Sequence, residues 1–147
     1  MTTVPSLVDS PAALQELVKC CRQADSIALD TEFVWERTYY PRLGLVQVAA
    51  EAGGCWLVDA VAVRDLTPLA ALLEAPRLTK VLHDAPQDLM ILRRATGACP
   101  RQVYDTRCAA ALAGLGSTTS LAELVDTTVD VQLAKTESRT NWVQRPL

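Results

Sequence analysis

The chain changes its pattern once, and that change limits the folds open to it. Three segments, Ser26–Phe33, Leu43–Ala50 and Cys55–Asp59, read as strands with apolar and β-branched residues at period-two or continuous spacing. A loop through Tyr39-Tyr40-Pro41 and a Gly53-Gly54 turn connect them. Connections this short join neighbouring strands as an antiparallel meander. From Asp65 onward helical and extended spacing alternate: a helix over Asp65–Glu74, a strand over Thr79–His83, a helix opening on Pro86 and running to Thr96, a brief strand over Val103–Asp105, and a helix over Thr106–Leu115. Ser120 and Glu123 have the spacing of a capping box and begin a further helix. Upstream, Ser10-Pro11 reads as a cap followed by proline at the first helical position, with Leu14, Leu17, Val18 and Cys21 at helical spacing behind it. A meander followed by alternating helix and strand predicts an α/β domain: a mixed central sheet with flanking helices.

Composition narrows the function classes. With 147 residues, half of them hydrophobic and 21% charged, the chain has the balance of one globular domain. It has no apolar run near the ~20 residues that span a bilayer. Met1–Pro5 lacks the basic and apolar regions of a secretory signal, so a cytoplasmic location is expected. A net charge of -3 gives no global attraction for a polyphosphate, so nucleic-acid binding would need local cations or bound metal. The five cysteines, Cys20, Cys21, Cys55, Cys99 and Cys108, contain no C-x-x-C pair and have only His83 to join them. That argues against a thiolate–imidazole zinc site and for buried, reduced thiols that pack as small hydrophobes.

Asp30 and Glu32 stand out. In a strand, residues i and i+2 share a face, so both carboxylates project side by side, while Ile27, Leu29 and Phe33 share the better-buried opposite face. Two adjacent like charges raise each other's pKa unless a cation sits between them, and a hard divalent ion is the usual remedy. The ordinary alternative is a solvated strand face carrying two harmless acids. Asp88 lies in the first turn of the helix after Pro86, where an acid complements the helix dipole. His83 ends a strand, at the sheet edge where α/β sites gather, though a strand-end histidine also serves as a hydrogen-bonded structural residue. Asp59, Tyr104 and Asp105 end strands too, and acids there start turns or cap helices.

Taken together the motifs resemble the ribonuclease D type of 3′-5′ exonuclease in the DEDD superfamily. Ala28-Leu29-Asp30-Thr31-Glu32-Phe33, Thr38-Tyr39-Tyr40-Pro41 and Leu43-Gly44-Leu45-Val46-Gln47 are similar to the start of that domain. Lys80-Val81-Leu82-His83 with Asp88 looks like its second exonuclease motif. Tyr104-Asp105-Thr106, Glu137-Ser138-Arg139-Thr140-Asn141-Trp142 and Arg145-Pro146-Leu147 are similar to later segments. The resemblance implies a ribonuclease-H-like fold and two-metal hydrolysis of RNA 3′ ends, such as those of tRNA precursors. Asp30 would bridge two Mg²⁺ or Mn²⁺ ions, Glu32 would complete one shell and orient the attacking water, and Asp88 would hold the second ion. Thr31, Phe33 and His83 would contact the 3′-terminal nucleotide. Trp35, Arg37 and Tyr39 would line the path of single-stranded RNA, with Lys135 and Arg139 as phosphate contacts.

One departure bears on activity. The family's third motif, Tyr-x-x-x-Asp, follows its Arg-Pro-Leu segment, and residues 1–147 contain no such pattern. The expectation is therefore a single, incomplete exonuclease domain over 1–147, without the fourth carboxylate, the C-terminal helix or a helical RNA-binding domain. A fragment of a longer enzyme, a short non-catalytic module that binds nucleic acid or protein, and a chain completed by a second chain all remain open. A DNA exonuclease shares the same acids.

Overall fold

The computed structural model describes residues 4–36, 38–51, 53–133 and 140–146. Arg37, Lys135 and Arg139, and with them Glu137-Ser138-Arg139, lie outside the described residues. Six strands form one sheet: β1 (Ser6–Val8), β2 (Ser26–Val34), β3 (Arg42–Ala50), β4 (Cys55–Asp59), β5 (Thr79–Leu82) and β6 (Val103–Asp105), in the order β1-β4-β3-β2-β5-β6. Strands β2, β3 and β4 form the expected antiparallel meander, whereas β1 joins β4, and β5 and β6 join β2, in parallel. The sheet is mixed, as the change of pattern predicts.

Helices α1 (Pro11–Cys21) and α4 (Pro86–Thr96) agree with the sequence in both bounds. The Ser10 hydroxyl caps α1 by accepting from the Ala13 N–H, and Leu14, Leu17, Val18 and Cys21 are its buried stripe. Gly97, at φ 74°, ends α4 in the left-handed conformation that glycine adopts without strain. The helix expected over Asp65–Glu74 is instead a 3₁₀ turn at Thr67–Leu69 running into α3 (Ala70–Leu73), preceded by the one-turn α2 (Ala60–Val63). Asp59 starts α2 early by accepting from the N–H groups of Val61 and Ala62, and Pro68 sits in the 3₁₀ turn. The strand β1 is an addition that three residues at a sheet edge are too short to announce by periodicity. Helices α5 (Thr106–Leu112) and α6 (Leu121–Val129) complete the chain order, with Ser120 capping α6 through the Glu123 N–H.

The core lies on one face of the sheet. Ile27 and Leu29 from β2, Val46 and Val48 from β3, and Val58 from β4 meet Leu14, Leu17, Leu72, Leu73 and Leu92 from the helices. The opposite face carries Asp30 and Gln47, which are register partners. The division of β2 into a buried Ile27–Leu29 face and a carboxylate face is the one its sequence predicts. Phe33, expected on the buried face, is only half-buried, because the register shifts at Glu32/Phe33: Glu32 pairs with Leu45 and Phe33 with Leu43. Gly44 is the extra residue of this bulge. A Cβ at Gly44 would come within 2.2 Å of the Trp142 carbonyl oxygen, so only glycine admits the chain segment that crosses here.

No helix among the described residues is long and apolar enough to cross a membrane. All five cysteines are free, but only Cys21 is buried as expected, and burial pushes its thiol up to about 11, which keeps it protonated and unreactive; Cys55 is half-buried, and Cys20, Cys99 and Cys108 are exposed rather than packed in the core.

Candidate active site

The three acids surround Thr31. Asp30 and Glu32 flank it on β2, and its buried hydroxyl donates a hydrogen bond to Asp88 Oδ1. Asp88 is itself buried, at 8% exposure, and does not cap α4. The amides at that helix start have another partner: the Asp84 and Ala85 N–H groups donate to Asp105 at 3.0 and 2.9 Å. Asp105 also accepts from the Arg107 N–H, so it is the strand-end cap its position suggests. The Asp88 carboxyl makes no cap bond of its own and is turned to Thr31 on β2.

Electrostatics ties the trio together. Desolvation pushes the Glu32 carboxyl up to about 7, helped by the charges of Asp30 and then Asp88. Desolvation also raises Asp30, against the opposing effect of the Thr31 backbone hydrogen bond. Asp88 rises through desolvation as well, with the Thr31 hydroxyl pulling down and the Asp30 charge pushing up. Gln47 Nε2 is the neutral donor between them, 3.1 Å from Asp30 Oδ2 and 3.4 Å from Glu32 Oε1. Sequence reasoning missed Gln47. Its only signal is a polar residue inside an apolar strand, and the register alone shows what it faces.

The donor set suits a hard divalent cation: three carboxylates, all oxygen, whose mutual repulsion a cation would relieve. They are not drawn into a closed cage, for among the described residues no three of His, Cys, Asp and Glu converge into a metal-holding group.

His83 sits across a hollow of about 230 Å³ that Asp30 and Gln47 also line. Its Nδ1 lies 2.9 Å from the Thr106 hydroxyl and its Nε2 3.1 Å from the Thr119 carbonyl oxygen, so both ring nitrogens have partners within the chain. Lys80, part of the same sequence motif, is fully buried and donates to the Ala75 and Leu78 carbonyls at 2.9 and 2.7 Å. Trp35 and Tyr39 are exposed on the loop after β2.

These shifts have a measurable consequence for stability. Glu32 is raised in the folded chain above its unfolded value near 4.3. Its contribution is therefore full below that value and is lost as pH rises through about 7. Glu32→Gln mimics the protonated acid. In metal-free buffer the variant is expected to be more stable than the parent by about 1–2 kcal/mol at pH 8, after allowance for solvent screening. That corresponds to a few degrees in Tm, with no difference at pH 4. Thermal melts at the two pH values check this, and an equal shift at both would rule out the coupled-acid account.

Comparison with known proteins shows the family of the chain. A family model described as 3′-5′ exonuclease matches residues 5–147. The chain belongs to the 3′-5′ exonuclease family. Among curated relatives of this exonuclease domain, ribonuclease D of Desulfotalea psychrophila is 47% identical over 142 residues, covering 97% of this chain and 38% of the relative. The crystal structure of Escherichia coli RNase D, described as an exoribonuclease involved in structured RNA processing, superposes with a TM-score of 0.92 at 38% identity, over 99% of this chain and 38% of that one. The catalytic core of RRP6 from Trypanosoma brucei gives a TM-score of 0.88 at 29% identity, over 99% of this chain and 40% of that one. The chain thus spans about two-fifths of the length of the relatives it matches. The ribonuclease-H-like exonuclease fold that the motifs imply is the fold observed, and the exonucleases of this family use divalent metal ions.

Proposed function

We propose that residues 1–147 form one exonuclease domain that trims single-stranded RNA from its 3′ end, with Mg²⁺ or Mn²⁺ held by Asp30, Glu32 and Asp88. The observation that carries this reading is the grouping of three carboxylates about Thr31, whose hydroxyl bonds Asp88 while Gln47 bridges Asp30 and Glu32. Asp30 would hold both ions, Glu32 one of them and Asp88 the other. When bound, the ions supply positive charge to the attacking and leaving oxygens of the phosphodiester. Glu32 would complete the shell of its ion and help orient the attacking water. Gln47 keeps Asp30 and Glu32 side by side, and Thr31 fixes Asp88 against the strand. Thr31, Phe33 and His83 flank the acids and are assigned to the 3′-terminal nucleotide: Phe33 by stacking, His83 at the ribose.

The test uses single-stranded RNA labelled at its 5′ end, with Mg²⁺ or Mn²⁺, beside the matching DNA. A ladder that shortens from the 3′ end of the RNA is expected. RNA bound but left intact in both metals, with or without an appended Tyr-x-x-x-Asp helix, would mark a non-catalytic module; cleavage only with that helix would mark an incomplete exonuclease domain, and faster loss of the DNA would mark a DNA exonuclease.

A further inference from the structure

The side chain that faces the two strand acids is neutral. Gln47 is the register partner of Asp30 across the β2–β3 pair, and Glu32, two residues further along β2, is its diagonal neighbour on the same face. Gln47 Nε2 reaches both, at 3.1 Å from Asp30 Oδ2 and 3.4 Å from Glu32 Oε1. An amide nitrogen carries two N–H donors and an ionised carboxylate only accepts, so one N–H serves each acid. A lysine or arginine here would relieve the repulsion between the acids more fully, because opposite charges paired across strands are stabilising. The fold supplies none. Among the described residues the ion pairs are Arg107–Asp84 and Arg145–Asp59, and neither includes Asp30, Glu32 or Asp88. Lys80, on the strand next to β2, directs its ammonium to the Ala75 and Leu78 carbonyls instead. The acids are thus held in place while their negative charge is left whole.

We infer that Gln47 is a positioning residue for the divalent cation: its uncharged amide fixes one oxygen of Asp30 and one of Glu32, and does not compete for the site as a charged side chain would. This rests on the reading of Asp30 and Glu32 as metal ligands given above. Carboxylates that ligate a metal are themselves oriented by hydrogen bonds, and loss of such a partner costs about 10- to 100-fold in metal affinity. Each acid keeps a second oxygen, and a further lone pair on the bonded one, for the ion. Thr31 does for Asp88 what Gln47 does for the other two, through its hydroxyl. All three acids are therefore oriented by neutral donors from β2 and β3, the two middle strands of the sheet.

The test follows Mn²⁺ binding to this chain by electron paramagnetic resonance, with no RNA present. Gln47→Met keeps the length of the side chain and removes both donors, whereas Gln47→Lys replaces them with a charge. Val58→Ala, in the core on β4, is the control for lost stability without a change at the acids. Melts in metal-free buffer show that each variant folds. Gln47→Met is expected to bind Mn²⁺ roughly 10- to 100-fold more weakly than the parent. At saturating Mn²⁺ its bound-ion spectrum is expected to differ from the parent's, because the ligands are no longer held in one orientation. Val58→Ala is expected to melt lower and to keep the parent's affinity and spectrum. Gln47→Lys is expected to melt a few degrees higher than the parent and yet to bind Mn²⁺ more weakly. Gln47→Met with the parent's affinity and spectrum would overturn the inference and leave the metal site standing. So would Gln47→Lys binding like the parent, or a loss in Val58→Ala as large as in Gln47→Met, which would make Gln47 a stabilising residue only. A parent that takes up no more Mn²⁺ than Asp30→Asn would remove the metal reading, and the role of Gln47 with it.

Discussion

Asp30→Asn is expected to lower metal-dependent shortening of RNA by about 10³-fold or more, because groups that act as one catalytic unit fail together. The substitution keeps the shape of the side chain and removes the charge nearest to both Gln47 and Glu32. It also removes one cause of the raised Glu32 carboxyl, so Glu32 in the variant should titrate lower, towards an ordinary glutamate. Asp84→Asn is the control. Asp84 also lies near Asp88, but it is exposed and paired with Arg107, so its loss should leave the rate within a few-fold of the parent. Rates measured side by side on the 5′-labelled RNA decide the matter. Comparable losses in both variants, or none at Asp30, would place the chemistry elsewhere.

Asp59→Ala is expected to cost about 3–5 kcal/mol of stability, the usual cost of breaking a buried ion pair from one side. Asp59 ends β4 with a side chain only 6% exposed. It accepts from Arg145 Nε at 2.6 Å and Nη2 at 2.5 Å while also capping α2. Arg145 donates further to the Gly44 and Trp142 carbonyls, so this pair holds the segment from Asn141 to Arg145 across the bulge in β3. Melting should fall by roughly 10–15 °C. The Arg145 hydrogen bonds hold the Asp59 carboxyl below the usual range. Its stabilisation is therefore present above the unfolded carboxylate value and is lost as pH falls through the lower folded one. Asp59→Asn should accordingly flatten the acid limb of the stability curve. A variant that melts with the parent would mean the pair is not what secures this segment.

Asp59 also shows how far local reasoning reaches. Its position at a strand end marks it as a turn or cap acid, and it is one. Its partner, Arg145, is 86 residues away, and no local pattern links the two. Asp88 makes the same point more sharply. By position it is a first-turn acid serving a helix dipole. Only the parallel pairing of β5 with β6 brings Asp105 to the amides at that helix start and leaves Asp88 for Thr31. His83 was legible as a strand-end residue, but its two partners, Thr106 and Thr119, come from beyond β6. At the start of the helix expected over Asp65–Glu74, the Asp65 carboxylate accepts from the Thr67 N–H and hydroxyl, and Pro68 sits in the 3₁₀ turn that follows.

What the sequence by itself determined is the set of local commitments: the Ser10-Pro11 helix start, the three meander strands, the helix over Pro86–Thr96, and the side-by-side acids of β2. Each rests on spacing within a few residues, where side-chain direction follows directly from backbone period. The tertiary structure decided the order of the six strands, the register that sets Gln47 opposite Asp30, and the bulge at Gly44. It also decided the arrival of Asp88 beside Thr31 and of Arg94 on Tyr40. These depend on which distant surfaces bury one another best, and burial is a property of the packed chain, not of any one segment of it.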